Sequence, residues 1–171
     1  AIAVLAVTER YGLLHAPDMY MNKITVGPQA AGRINLDASV RENLHNVAQA
    51  LNKNIQDVTV VIMDRPRHYE IIRQARECGA RIRLITDGDV APAVACAIEG
   101  SGIDMMMGIG GAPEGVLAAA ALRCMGGEMQ ARLWPENEED ILRAQKLGIK
   151  NINKLLTLND LVNTDDILFA A

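Results

Sequence analysis

The 171 residues are enough for one domain with a sizeable core, but only 3% are aromatic while 50% are hydrophobic, so aliphatic side chains must do the packing. A net charge of −4, from 17 Lys and Arg against 21 Asp and Glu, excludes the basic face of a nucleic-acid groove, and the scarcity of aromatics excludes base stacking. No apolar run reaches the ~18 residues of a membrane span and no signal-peptide pattern is present, so we expect neither nucleic acid nor membrane as a partner.

In chain order, residues 2–26 read as strands at Ala3–Val7, Leu13–His15 and Met19–Val26, and residues 27–37 as a loop. Ser39 and Glu42 form a capping-box pattern, followed by Val40, Leu44, Val47 and Leu51 at helical spacing, which predicts a helix over 39–53. Strand and helix then alternate. Strands are predicted at 58–63, Arg81–Thr86, Ile103–Met107 and Glu128–Leu133. Helices are predicted at Pro66–Gly79, Val90–Glu99, Pro113–Cys124 and Pro135–Leu147. Thr157-Leu158-Asn159-Asp160 reads as a further cap, and 167–170 as a last strand. This alternation implies an α/β fold with a mostly parallel sheet. Cys78, Cys96 and Cys124 are odd in number and lack metal spacing, so they read as buried, reduced thiols of a cytoplasmic protein.

Parallel strands would bring three polar clusters to one sheet edge, where open α/β sheets bind ligands. In Asp64-Arg65-Pro66-Arg67-His68, extended geometry before proline would point Arg65 and Arg67 the same way, and guanidinium forks match phosphate. A solvated basic turn is the plain alternative. Asp87-Gly88-Asp89 offers carboxylates for sugar hydroxyls or a cation, although Asp-Gly is ordinary turn chemistry and Asp89 could simply cap the next helix. Gly108–Gly115 is expected to be a loop of bare amides leading into a helix N-terminus. It lacks the third Gly of a dinucleotide fingerprint and the Lys of a P-loop. Glu114 is either a dipole-complementing residue or a metal ligand. His15, His45 and His68 are isolated, and a surface or capping role is expected for His68. Met105-Met106-Met107 reads as core strand and Trp134 as packing.

Taken together, Ala16–Met21, Asp64–His68, Asp87–Val90, Met107–Val116 and Arg123–Gln130 resemble the class II fructose-1,6-bisphosphatases of the lithium-sensitive sugar-phosphatase superfamily, over the whole chain and in order. The resemblance implies the layered α/β/α/β/α sugar-phosphatase fold, here mainly its second sheet domain with strands of the first. Residues 1–37 would be the last strands and connection of a truncated first domain, and residues 38–171 an α/β domain with a mostly parallel sheet, truncated at its C-terminus. It further implies metal-dependent hydrolysis of the 1-phosphate of fructose 1,6-bisphosphate, in gluconeogenesis and glycerol metabolism. Tyr20, Arg65, Pro66, Arg67, Asp87, Gly88, Asp89 and Gly111 match its substrate-binding positions, and Glu114 matches a ligand of Mn²⁺ or Mg²⁺. Alternatives are a non-catalytic sugar-phosphate-binding module, or a phosphatase of sedoheptulose 1,7-bisphosphate or inositol phosphates.

The resemblance further implies metal-binding acidic motifs, of Gly-Glu-Gly-Glu and Asp-Pro-x-Glu-Gly-Thr type, upstream of the strand that opens here, and none of them occurs within these 171 residues. The chain opens and closes inside strand-like runs, so we expect a fragment that binds metal weakly and turns over little. Open apolar strands at both ends point to either missing chain or subunit contact, and a homo-oligomer, a dimer or tetramer, is expected.

Overall fold

A computed structural model describes residues 5–171, with Leu5 described by its backbone alone; residues 3 and 4 of the first expected strand lie outside the described residues. The elements run β1 (Leu5–Thr8), β2 (Tyr20–Val26), α1 (Val40–Ala50), β3 (Thr59–Met63), α2 (Tyr69–Glu77), β4 (Arg81–Ile85), α3 (Val90–Ala95), β5 (Met105–Gly111), α4 (Ala112–Met125), β6 (Glu128–Trp134), α5 (Glu138–Lys146), β7 (Leu156–Thr157), α6 (Leu158–Leu161) and β8 (Ile167–Ala170). The expected α/β class is what forms. No helix among the described residues is long and apolar enough to cross a membrane.

The main sheet has six strands in the order β4-β3-β5-β2-β6-β7. Its helix-linked core, β4-β3-β5, is parallel, as the strand–helix alternation requires. The sheet as a whole is mixed rather than mostly parallel. β2 runs antiparallel to both neighbours, β5 and β6, and β6 runs antiparallel to β7. The cause is connectivity. β6 follows α4 after the tight Gly126-Gly127 stop, and it pairs with β2, which entered the sheet long before. The expected division at residue 37/38 therefore cuts through this sheet, because β2 lies between β5 and β6. Leu13–His15 contributes one bridge, Leu13 to Val162, in place of a strand. β1 and β8 pair antiparallel as a separate ribbon, Val7 opposite Leu168.

Local signals act as physical chemistry predicts. The Ser39 hydroxyl accepts from the Glu42 amide at 3.1 Å and starts α1, whose Leu44 and Val47 are fully buried. Thr157 and Asp160 complete a reciprocal capping box. Gly126 adopts φ 74°, the left-handed turn that ends α4. α4 is buried on nearly all sides, with Ala118 to Leu122 packed between the sheet and the β1–β8 ribbon. Gly115 allows this approach, since a Cβ there would lie 2.7 Å from the Met21 sulfur.

Two expectations about single residues change. Cys124 is exposed and Cys78 and Cys96 only half-buried by surface; burial around the Cys96 sulfur nonetheless pushes its thiol up to about 12, so it is inert at neutral pH. Trp134 is 46% exposed rather than packed, because it ends β6 at the rim of the sheet.

Candidate functional site

The carboxyl ends of β3, β4 and β5 open into one cleft, joined by the start of β2 and the segment after β6, because antiparallel β2 and β6 place those ends at the same edge. The cleft encloses about 530 Å³. Tyr20, Arg65, Arg67, Asp87, Gly88, Asp89, Gly111 and Glu114 all line it, so every site candidate drawn from the sequence converges there except Pro66, which is not part of the lining. Pro66 serves the backbone instead, opening the 3₁₀ turn Pro66–His68 ahead of α2. That turn changes how the arginines meet the cleft. Arg65 is extended, but Pro66 to His68 are helical, so the same-side rule for extended residues does not bring Arg65 and Arg67 together.

Arg67 is held by two groups. Its Nε and Nη2 donate to the Ile109 carbonyl at 3.2 and 3.0 Å, and its guanidinium lies 4.6 Å from the Tyr20 ring centroid. Arg65 donates to the Asp64 carbonyl at 3.2 Å. Both line the cleft, where their charge would attract an anion.

Asp89 occupies the residue before α3 but makes no capping bond with its side chain. Its carboxylate pairs instead with Lys23 from β2, Nζ to Oδ2 at 2.8 Å, with the two side chains only 1% and 8% exposed. The same ammonium donates to the Gly111 carbonyl at 2.9 Å. The ammonium carries three N–H donors, so it can serve Asp89 Oδ2 and the Gly111 carbonyl together. The charge of this buried carboxylate is thus met within the protein, at the lining of the cleft. Asp87, by contrast, is exposed and accepts from the Gly88 amide at 2.9 Å, an ordinary turn at Gly88 φ 79°.

Gly108 to Gly111 are strand rather than loop, paired with Lys23 back to Tyr20, and α4 begins at Ala112. Two of these glycines are explained by carboxylates. A Cβ on Gly110 would overlap Asp89 Oδ2, and one on Gly111 would overlap Glu114 Oε2. Glu114 sits in the first turn of α4 and folds back over Gly111, within reach of the cleft.

Sequence reasoning missed several lining residues: Asp18, Met19, Met63, Glu136, Asn137 and Asp140. The last three form the start of α5, where the Asn137 side chain accepts from the Asp140 amide at 3.0 Å and Asp140 from the Glu136 amide at 2.9 Å. Arg143 ties this corner to the segment just before β2 by donating to the Asp18 carbonyl. Lys23 was missed as well, and His68 was read as a surface or capping group near the site. Lys23 was legible as a lone charge at the inward-facing step between Met21 and Thr25 of an apolar strand. His68 is fully buried, against the expected surface role, because the 3₁₀ turn carries its ring under β5.

Hard divalent cations take carboxylate oxygens. Glu114 fits that chemistry, whereas Asp89 Oδ2 is already paired with the Lys23 ammonium, and no three such side chains come together among the described residues.

Over residues 1–171 the chain matches the family model described as bacterial fructose-1,6-bisphosphatase, glpX-encoded. It is 45% identical over 183 aligned residues to the D-fructose 1,6-bisphosphatase class 2/sedoheptulose 1,7-bisphosphatase of Synechococcus sp. (strain JA-3-3Ab), covering 100% of this chain and 53% of the relative. The proteins of the same name from Microcystis aeruginosa and Synechocystis sp. are each 44% identical with the same coverage. The chain spans about half the length of the curated relatives it matches.

Proposed function

The chain belongs to the bacterial fructose-1,6-bisphosphatase family, and from that premise we propose that its cleft binds a sugar bisphosphate for hydrolysis of one phosphate ester. The observation that carries the reading is the gathering of Arg65, Arg67, Asp87, Asp89 and Glu114 around one cleft, at the end of a glycine-rich strand that stops at Gly111. Arginines supply forked donors for phosphate oxygens. Asp87 offers its exposed carboxylate to sugar hydroxyls, and Asp89, paired with Lys23, lines the same cleft. Tyr20, stacked under Arg67, keeps that guanidinium aimed rather than free to rotate.

Glu114 would supply an oxygen ligand to Mn²⁺ or Mg²⁺, made possible by the missing side chain of Gly111. A divalent cation bound there supplies Lewis-acid polarisation of the phosphoryl group and a water activated for attack. The expected reaction is release of phosphate from fructose 1,6-bisphosphate within carbohydrate metabolism in the cytoplasm. The double name of the relatives favours sedoheptulose 1,7-bisphosphate as a second substrate.

Glu114→Gln tests the assignment. It should lower retention of Mn²⁺, read by water-proton relaxation, while binding of fructose 1,6-bisphosphate without metal stays unchanged. Equal loss of both would remove Glu114 from a metal role, and phosphate release that needs no divalent cation would sink the mechanism.

A further inference from the structure

β3 pairs with β5 only at Val60–Met105 and Val61–Met106. Beyond that point the chain turns away at Asp64, and the edge of β5 that faced β3 loses its strand partner. Two side chains of the 3₁₀ turn replace it. The Ile109 amide donates to His68 Nε2 at 2.8 Å, and the Ile109 carbonyl accepts from Nε and Nη2 of Arg67. His68 Nδ1 lies 2.9 Å from the Met63 carbonyl. These partners fix the protonation pattern. An amide can only donate and a carbonyl can only accept, so Nδ1 carries the proton and Nε2 is the bare acceptor. Gly108 completes the fit. A Cβ there would sit 3.0 Å from Nε2, and its φ of 139° belongs to glycine.

We infer that His68 is a positioning residue: through its Nε2 it fixes the backbone at Ile109, whose carbonyl aims Arg67 across Tyr20 into the cleft. One residue links the two side chains, its amide to His68 and its carbonyl to Arg67, so rotation of the backbone there would release both. The inference rests on the sugar-phosphate reading only for what Arg67 binds; the aiming itself is a property of the ligand-free protein. Burial holds the imidazole below its ordinary titration range, opposed by the Met63 bond and reinforced by the charges of Arg67 and Arg65. The neutral acceptor is thus the form present at neutral pH.

Glutamine can place an acceptor where Nε2 lies, and asparagine cannot reach that far. The Arg67 Nε–H resonance should be sharp and slow to exchange in the ligand-free wild type and in His68→Gln. It should be lost in His68→Asn, with the dispersion of other amides unchanged. Equal Arg67 signals in all three proteins would overturn the inference. A scalar coupling across the Ile109 N–H to His68 Nε2 hydrogen bond in the wild type tests the same contact if a variant fails to fold, and its absence contradicts the arrangement. For fructose 1,6-bisphosphate, His68→Asn should weaken binding about tenfold and His68→Gln about twofold or less, on the scale of one hydrogen bond to a charged group. Adding His68→Asn to Arg67→Ala should cost nothing further; additive losses would overturn the coupling. If the wild type fails to bind the sugar bisphosphate while the Arg67 signal still follows His68, the positioning stands and the reading of the ligand falls.

Discussion

The two walls of the cleft are built by opposite means. On the arginine side, Arg67 is open to solvent and held by one backbone carbonyl and an aromatic face, so its charge remains available. The carboxylate wall hides its anchor. Asp89 and Lys23 are both buried and bound to each other, with Gly111 as a third member. The difference teaches where each mutation should be felt. Damage to the arginine wall should appear in binding and leave the fold alone. Damage to the carboxylate wall should appear first in stability, because removing one partner of a buried ion pair strands the other charge in a medium that cannot solvate it.

The largest effect should come from Lys23→Met. It leaves Asp89 buried without its cation and should cost about 3–5 kcal/mol of folding stability, read from urea unfolding. The double variant Lys23→Met with Asp89→Leu should recover most of that loss. If the single change costs under about 1 kcal/mol, the pair is better solvated than its burial implies, and the contrast between the walls fails.

Arg67→Ala comes next. It should weaken binding of fructose 1,6-bisphosphate by about 2 kcal/mol, since it removes charge-assisted donors. Its urea midpoint should shift by no more than an exposed side chain implies, within about 0.5 kcal/mol. A loss of stability like that of Lys23→Met would erase the distinction between the walls.

The smallest test is one of direction, the response to acid. His68 is held below its ordinary value of about 6.5 by burial. Above that value both folded and unfolded chains carry it neutral, and its contribution to stability is fully present. As pH falls below it, the unfolded chain takes up a proton first, so stability is lost progressively until the depressed folded value is passed. The urea midpoint should therefore fall from pH 7 toward pH 5, and His68→Gln should flatten that part of the slope. His15 and His45 are exposed, so the comparison isolates the buried ring. An unchanged slope would show that His68 is solvated in the folded protein.

Most of the cleft was legible because its chemistry is local. Asp87-Gly88-Asp89 and Arg65-Pro66-Arg67 each follow an apolar run, and parallel pairing of those runs is a rule of chain connection, so their convergence could be stated before the fold was known. What was illegible depends on partners distant in sequence. The antiparallel entry of β2 between β5 and β6 is a long-range pairing with no local mark, and it decides that Lys23 meets Asp89. The same pairing turned Gly108–Gly111 from an expected loop into strand. Pro66 was read for its effect on Arg65, while its larger consequence was the 3₁₀ turn that buries His68 and changes how Arg67 is aimed.

The most direct test of the account is a calorimetric titration of fructose 1,6-bisphosphate, without metal, into the wild-type chain and Arg67→Ala, with unphosphorylated fructose as the comparison. The account predicts binding of the bisphosphate but not of fructose, and a clear loss of affinity in Arg67→Ala at an unchanged urea midpoint. Equal affinity in the two proteins, or no binding to the wild type, would contradict the assignment of this cleft to a sugar phosphate.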